Sequence, residues 1–154
     1  MKTLLISGLL MLALQQESPL YEEYIVFGKS VTEVRDSFSK LLELQLIDLD
    51  SIQTFSPKYQ KAFYQNRLTY KLRKSNRNLV LVFDIKRNAM ATSIEVDSVE
   101  AKHIIIALTK KTERMSGSNA VMWKWGNNGY VALSRKPGRT MSELYYGRGE
   151  EAEY

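Results

Sequence analysis

Two helix-start signals divide this chain and bound what it can fold into. Ser30 stands three residues before Glu33, and Asp97 stands three before Glu100. In each pair the first side chain can accept an amide of the opening turn while the glutamate reaches back to the cap's own amide. After Ser30, the residues Val31, Val34, Phe38, Leu41 and Leu42 recur at helical spacing. They predict an amphipathic helix from Val31 to about Leu44. After Asp97, a second buried stripe is expected at Ala101, Ile104, Ile105, Leu108 and Met115. Lys110, Lys111 and Arg114 fall in its later turns, where cations suit the helix dipole, and Gly117 supplies a permissive stop.

The segments around these helices read as strands. In "FYQNRLTYKLRK", Tyr64, Leu68, Tyr70 and Leu72 share one parity and Gln65, Arg67, Thr69 and Lys71 the other, the mark of a half-buried strand. "LVLVFDI" is apolar on both parities and reads as a central strand. "ATSIEVD" alternates again, with Ile94 and Val96 inward and Ser93 and Glu95 outward. Setting Leu72 opposite Leu79 brings Tyr70 to Leu81 and Leu68 to Phe83, all on one face. "IDLDSIQTFSPKYQ" has no clean period and ends near Pro57, so it reads as a connection with at most a short helical turn.

"VMWKWGNNGYVALSR" is a hairpin pattern, because Asn and Gly tolerate the positive φ of tight turns. A two-residue turn puts Trp123, Trp125 and Tyr130 on one face and Met122, Val131 and Leu133 on the other. If the aliphatic set meets the helices, the aromatic set is exposed and suits recognition of a partner. The alternative places both tryptophans in the core. "SELYYG" supplies a short last strand. The expected fold class is therefore α+β, a two-layer structure with helices packed on one face of an antiparallel sheet, in the order α-β-β-β-α-β-β-β.

The N-terminus carries a targeting pattern. Lys2 precedes a largely apolar run from Thr3 to Leu14, about a dozen residues, which suits a secretory signal and is too short to cross a bilayer. Residues 1–16 are thus expected to be a signal peptide, 17–147 a single α+β domain, and 148–154 a charged disordered tail. Export to the periplasm or the extracellular space follows, with no transmembrane helix.

Chemistry is sparsely provided. Cysteine is absent, so no thiolate nucleophile and no Cys-type zinc site can be built; His103 is the single histidine, with no second histidine to complete a metal site and no serine placed to pair with it. No catalytic residue, metal ligand or cofactor is expected, and the chain reads as a non-enzyme. "GKS" at Gly28 to Ser30 lacks the upstream glycine of a phosphate-binding loop and reads as the helix cap. The net charge of +5 is spread over turns and helix ends, in "KLRKSNR", "LTKKTER" and "SRKPGR". Such runs read as solvated loops, and single-stranded nucleic acid stacking on Trp125 and Tyr130 is the weaker alternative.

Three stretches together resemble a group of small exported bacterial proteins. "VFGKSVTEVRDSF" is similar to an opening in which a glycine and a serine precede a helix with Glu-Val. "IEVDSVEAKHIIIALTKKTERM" is similar to a strand followed by a helix. "VMWKWGNNGYVALSRK" with "ELYYG" is similar to the closing strands. The chain, over most of residues 25 to 147, resembles the β-lactamase-inhibitor-protein-like fold shared with small outer-membrane-assembly lipoproteins. The lipidated cysteine of the lipoprotein members is missing here. The resemblance implies binding rather than catalysis, through an aromatic sheet face to which Trp123, Trp125 and Tyr130 would correspond. The expected partner is a protein or an envelope component, and a structural or accessory envelope role with buried tryptophans is the other reading.

Overall fold

A computed structural model describes residues 20–56, 61–84, 86–115 and 120–148. The expected signal segment, 1–16, and most of the charged tail lie outside these residues.

Both helix-start signals form. Helix α1, Val31–Phe38, opens on Ser30: the Glu33 amide donates to Ser30 Oγ at 3.3 Å, and the Ser30 amide donates to Glu33 Oε2 at 2.7 Å. Helix α2, Ser98–Lys111, opens on Asp97, whose Oδ1 accepts the amides of Val99 and Glu100 at 2.9 Å each. The Asp97 amide returns a bond to Glu100 Oε2 at 3.0 Å. Each reciprocal pair satisfies amides that a helix start otherwise leaves without an intrahelical partner. Lys110 and Lys111 occupy the last turn of α2, at its carbonyl end.

The rest is sheet. The strands are β1 (Leu44–Ser56), β2 (Lys61–Leu72), β3 (Arg77–Phe83), β4 (Ala89–Val96), β5 (Arg114–Met115), β6 (Val121–Trp125), β7 (Gly129–Ser134) and β8 (Ser142–Arg148). They form one antiparallel sheet in the order β1-β2-β3-β4-β8-β7-β6-β5. Each half of the chain supplies a helix and then four strands, and β4 and β8 join the halves.

This corrects the expected two-layer α+β class in the order α-β-β-β-α-β-β-β. Among the described residues the sheet has eight strands rather than six, and α-helix is confined to one segment of 8 and one of 14 residues. The larger omission is β1. Leu46 lies opposite Tyr70 and Leu49 opposite Leu68, with a bulge between Leu46 and Asp48. The extra residue moves the inward positions from even to odd numbers, and the two-residue period that marks a strand is lost. The first helix correspondingly ends at Phe38 instead of reaching Leu44, and Leu42 is 89% exposed.

Register differs in one further place. Tyr70 pairs with Leu79 and Leu68 with Leu81, two residues from the expected alignment. The shift is even, so the same side chains still share a face. The four-residue connection Arg73 to Asn76, with Asn76 at φ 56°, fixes the alignment.

The main core collects on one face of the sheet. Leu68, Leu79, Leu81, Phe83, Ile94, Trp123, Val131, Leu144 and Tyr146 have no exposed surface, and Val34, Ile104 and Leu108 of the helices join them. Each such side chain contributes about 1.5–3 kcal/mol of transfer free energy. The segment before α1 is fastened across this core. The Tyr146 hydroxyl donates to the Leu20 carbonyl at 2.5 Å, and the Tyr21 hydroxyl donates to Glu100 at 2.6 Å. Arg77 binds the same Glu100 and also Asp97, at 2.9 Å, so the start of α2, strand β3 and the leading segment meet at one ion-pair cluster. No helix among the described residues is long and apolar enough to cross a membrane.

Candidate recognition face of the sheet

The β6–β7 hairpin decides which aromatic side chains can meet a partner. Trp125 pairs with Gly129, so the connection is the three residues Gly126, Asn127 and Asn128. Gly126 takes φ 59°, a conformation that costs a residue with a Cβ far more. Three connecting residues instead of two reverse the parity of the returning strand. Trp123 consequently lies opposite Val131 and Trp125 opposite Gly129, while Tyr130 lies opposite Lys124.

The grouping of Trp123, Trp125 and Tyr130 on one face is therefore corrected: the tryptophans and Tyr130 point to opposite sides. Trp123 is fully buried in the main core, and its Nε1 donates to Thr109 Oγ1 at 3.3 Å. Trp125 is half-buried beside it. Its ring meets Tyr146 edge-to-face at 5.1 Å, and the Lys111 ammonium stands 4.6 Å from it. Val131 and Leu133, expected across the sheet from the tryptophans, share their face instead.

Tyr130 belongs to the other face. Its ring centroid is 5.8 Å from that of Tyr145, with the planes tilted by 31°. Gly147 lies opposite Tyr130 on β8. A Cβ at 147 would stand 2.7 Å from the Tyr130 ring and 2.8 Å from that of Tyr145. The two tyrosines thus cover a bare stretch of backbone, an arrangement that shields a sheet glycine with aromatic surface. Tyr145 also packs with Val82 against Met90 and Ala91, a second and smaller apolar cluster. Gln65 Nε2 donates to Met90 Sδ at 3.2 Å at its border. No residue of α1 or α2 enters this cluster. Met122 and Ala132 lie opposite one another on β6 and β7, with Tyr145 on the other side of Ala132, and both are half-buried.

Farther along the same face, Glu95 and Glu143 stand directly opposite each other on β4 and β8. Glu143 accepts the Ser93 hydroxyl, and Glu95 accepts the Asn78 amide at 3.0 Å. These residues and the β7–β8 connection, with Lys136 and Arg139, bound an open depression of about 280 Å³. It offers hydrogen-bond acceptors, cations and the Ser93 hydroxyl held on Glu143. Among the described residues no three His, Cys, Asp or Glu side chains converge as metal ligands. His103 is exposed on α2.

Sequence reasoning passed over Tyr145, Gly147 and Val82. The usable signal was "YYG": adjacent strand tyrosines must point to opposite faces, one to each side of the sheet. Tyr146 takes the core side and Tyr145 the other.

Comparison of this chain with protein-family models, with curated proteins and with solved structures finds no match.

Proposed function

We propose that this chain is an exported, non-enzymatic binding protein that recognises another protein or an envelope component through the sheet face carrying Tyr130 and Tyr145. The observation that carries the reading is the tyrosine pair laid over Gly147, outside the main core. Tyrosines held in this way lose little side-chain freedom on contact, and they combine a large apolar body with a polar tip. Lys124 on one side and the Glu95–Glu143 pair with Lys136 and Arg139 on the other supply a charged rim. Trp123 is left out of the proposed contact, because withdrawing it would open the core; Trp125 lies behind the sheet. Lys2 and the apolar run that follows support export, and the likeness to β-lactamase-inhibitor-like proteins supports binding over catalysis.

The experiment is capture from envelope extract by immobilised wild type, by Tyr130→Ala with Tyr145→Ala, and by Lys102→Ala, which alters an exposed site on α2. The reading predicts a component retained by wild type and Lys102→Ala and lost with the tyrosine pair. Equal retention by all three overturns it. N-terminal sequencing of the protein from cells tests export, and an intact Met1 contradicts it.

A further inference from the structure

The two edges of the sheet are unlike. One ends in β5, two residues long, both of them exposed. The other is β1, whose 13 residues pair with β2 on one side and, among the described residues, with no strand on the other. Long bare edges recruit further strands, and proteins usually shorten, charge or cover them. Here the edge has a bulge and two acids, Asp48 and Asp50, but it also carries Leu46 at 39%, Ile47 at 50% and Leu49 at 48% exposure. We infer that β1 pairs antiparallel with β1 of a second copy of this chain, with Leu46 opposite Leu49 of the second copy.

The bulge sets this register. Leu46 faces Tyr70 across β1–β2 and Leu49 faces Leu68, so both leucines lie on the core side although they are three residues apart. Gln45 faces Lys71 and Asp50 faces Arg67, on the opposite side. A two-fold pairing of Leu46 with Leu49 therefore joins like faces throughout. It sets leucine on leucine twice, Ile47 beside Asp48 of the second copy, and Gln45 beside Asp50, where an amide can donate to a carboxylate. No acid then lies opposite an acid. A shift of one residue sets Leu46 against Asp48 or Asp50, which lie on the opposite side of the sheet, and so joins unlike faces. The leucines also line two neighbouring depressions between β1 and α1, which share Thr32 and Arg35. The second copy's leucines would fill these places. Because each copy has one long edge, the pairing closes at two chains and does not propagate.

The inference is independent of the tyrosine face and is tested apart from it. Sedimentation velocity of the wild type is expected to show a dimer, and Leu46→Lys with Leu49→Lys a monomer with an unchanged far-ultraviolet circular dichroism spectrum. The chain has no cysteine, so engineered thiols report without background. Leu46→Cys and Leu49→Cys proteins, mixed and oxidised, are expected to form covalent dimers that neither forms alone. A wild type that stays monomeric at every concentration overturns the inference. So does a mixture that cross-links no better than its components.

Discussion

Tyr130 lies directly opposite Gly147, and the space a side chain at 147 would need is filled by the tyrosine ring. The clash involves the far end of a movable side chain, so Gly147→Ala is expected to displace Tyr130 rather than unfold the sheet. The expected cost is about 1 kcal/mol, at the mild end of overpacking. Adding Tyr130→Ala to Gly147→Ala should remove the Tyr130 share of that clash and leave the contact with Tyr145, a coupling readable in a double-mutant cycle by urea denaturation. Additive effects would show that the two positions do not touch.

Trp123 behaves as core. Trp123→Ala is expected to destabilise the fold by roughly 3–5 kcal/mol, the range of buried aromatic truncations. In a Trp125→Phe protein the remaining Trp123 emission should be blue-shifted and resistant to iodide. Emission near that of free indole would contradict its burial.

The helix caps make the fold acid-sensitive. The Ser30 amide, then its hydroxyl, hold Glu33 below its ordinary 4.5. The Glu100 amide, before other contacts, holds Asp97 below 3.8, and the Arg67 guanidinium does the same for Asp50. A depressed carboxyl contributes stability that is present above its unfolded value and lost as pH falls through its folded value. Thermal midpoints are therefore expected to be level above about pH 5 and to fall in stronger acid. Ser30→Ala should lower the midpoint at neutral pH, by the equivalent of about 1 kcal/mol, and should lessen the acid dependence.

At the alkaline end the signs reverse. Burial, and then its bond to Glu100, raise the Tyr21 phenol well above 10.0; burial, followed by Glu22 and Glu23, raises that of Tyr146. A raised group stabilises fully below its unfolded value and ceases to as pH climbs through its folded one. Phenolate absorbance is expected to include a late stage from Tyr21 and Tyr146. Tyr21 and Tyr146 should ionise only as the far-ultraviolet dichroism collapses. A single early step with the fold intact would contradict their burial.

What could be read from the sequence was local. Ser30–Glu33 and Asp97–Glu100 act within one turn, and both helices begin where those pairs place them. The alternation in β2 and in β4 also survives folding, because each residue's face depends only on its own strand. The errors came from single extra residues. One at the bulge near Ile47 erased the period of β1, and one in the 126–128 connection turned Tyr130 away from the tryptophans. Neither is fixed by composition, since "GNNG" suits turns of two residues or three. The pairing of β4 with β8, which places Tyr145 near Val82, depends on contacts distant in sequence.

The central claim concerns the face of Tyr130, and cross-linking in cells addresses it even while the partner is unidentified. A photoactivatable phenylalanine analogue placed at 130, and separately at the exposed Ile106 of α2, reports what each side touches. The account predicts a discrete cross-linked species from position 130 and none from 106. Cross-linking from 106 alone, or from neither position, would contradict it.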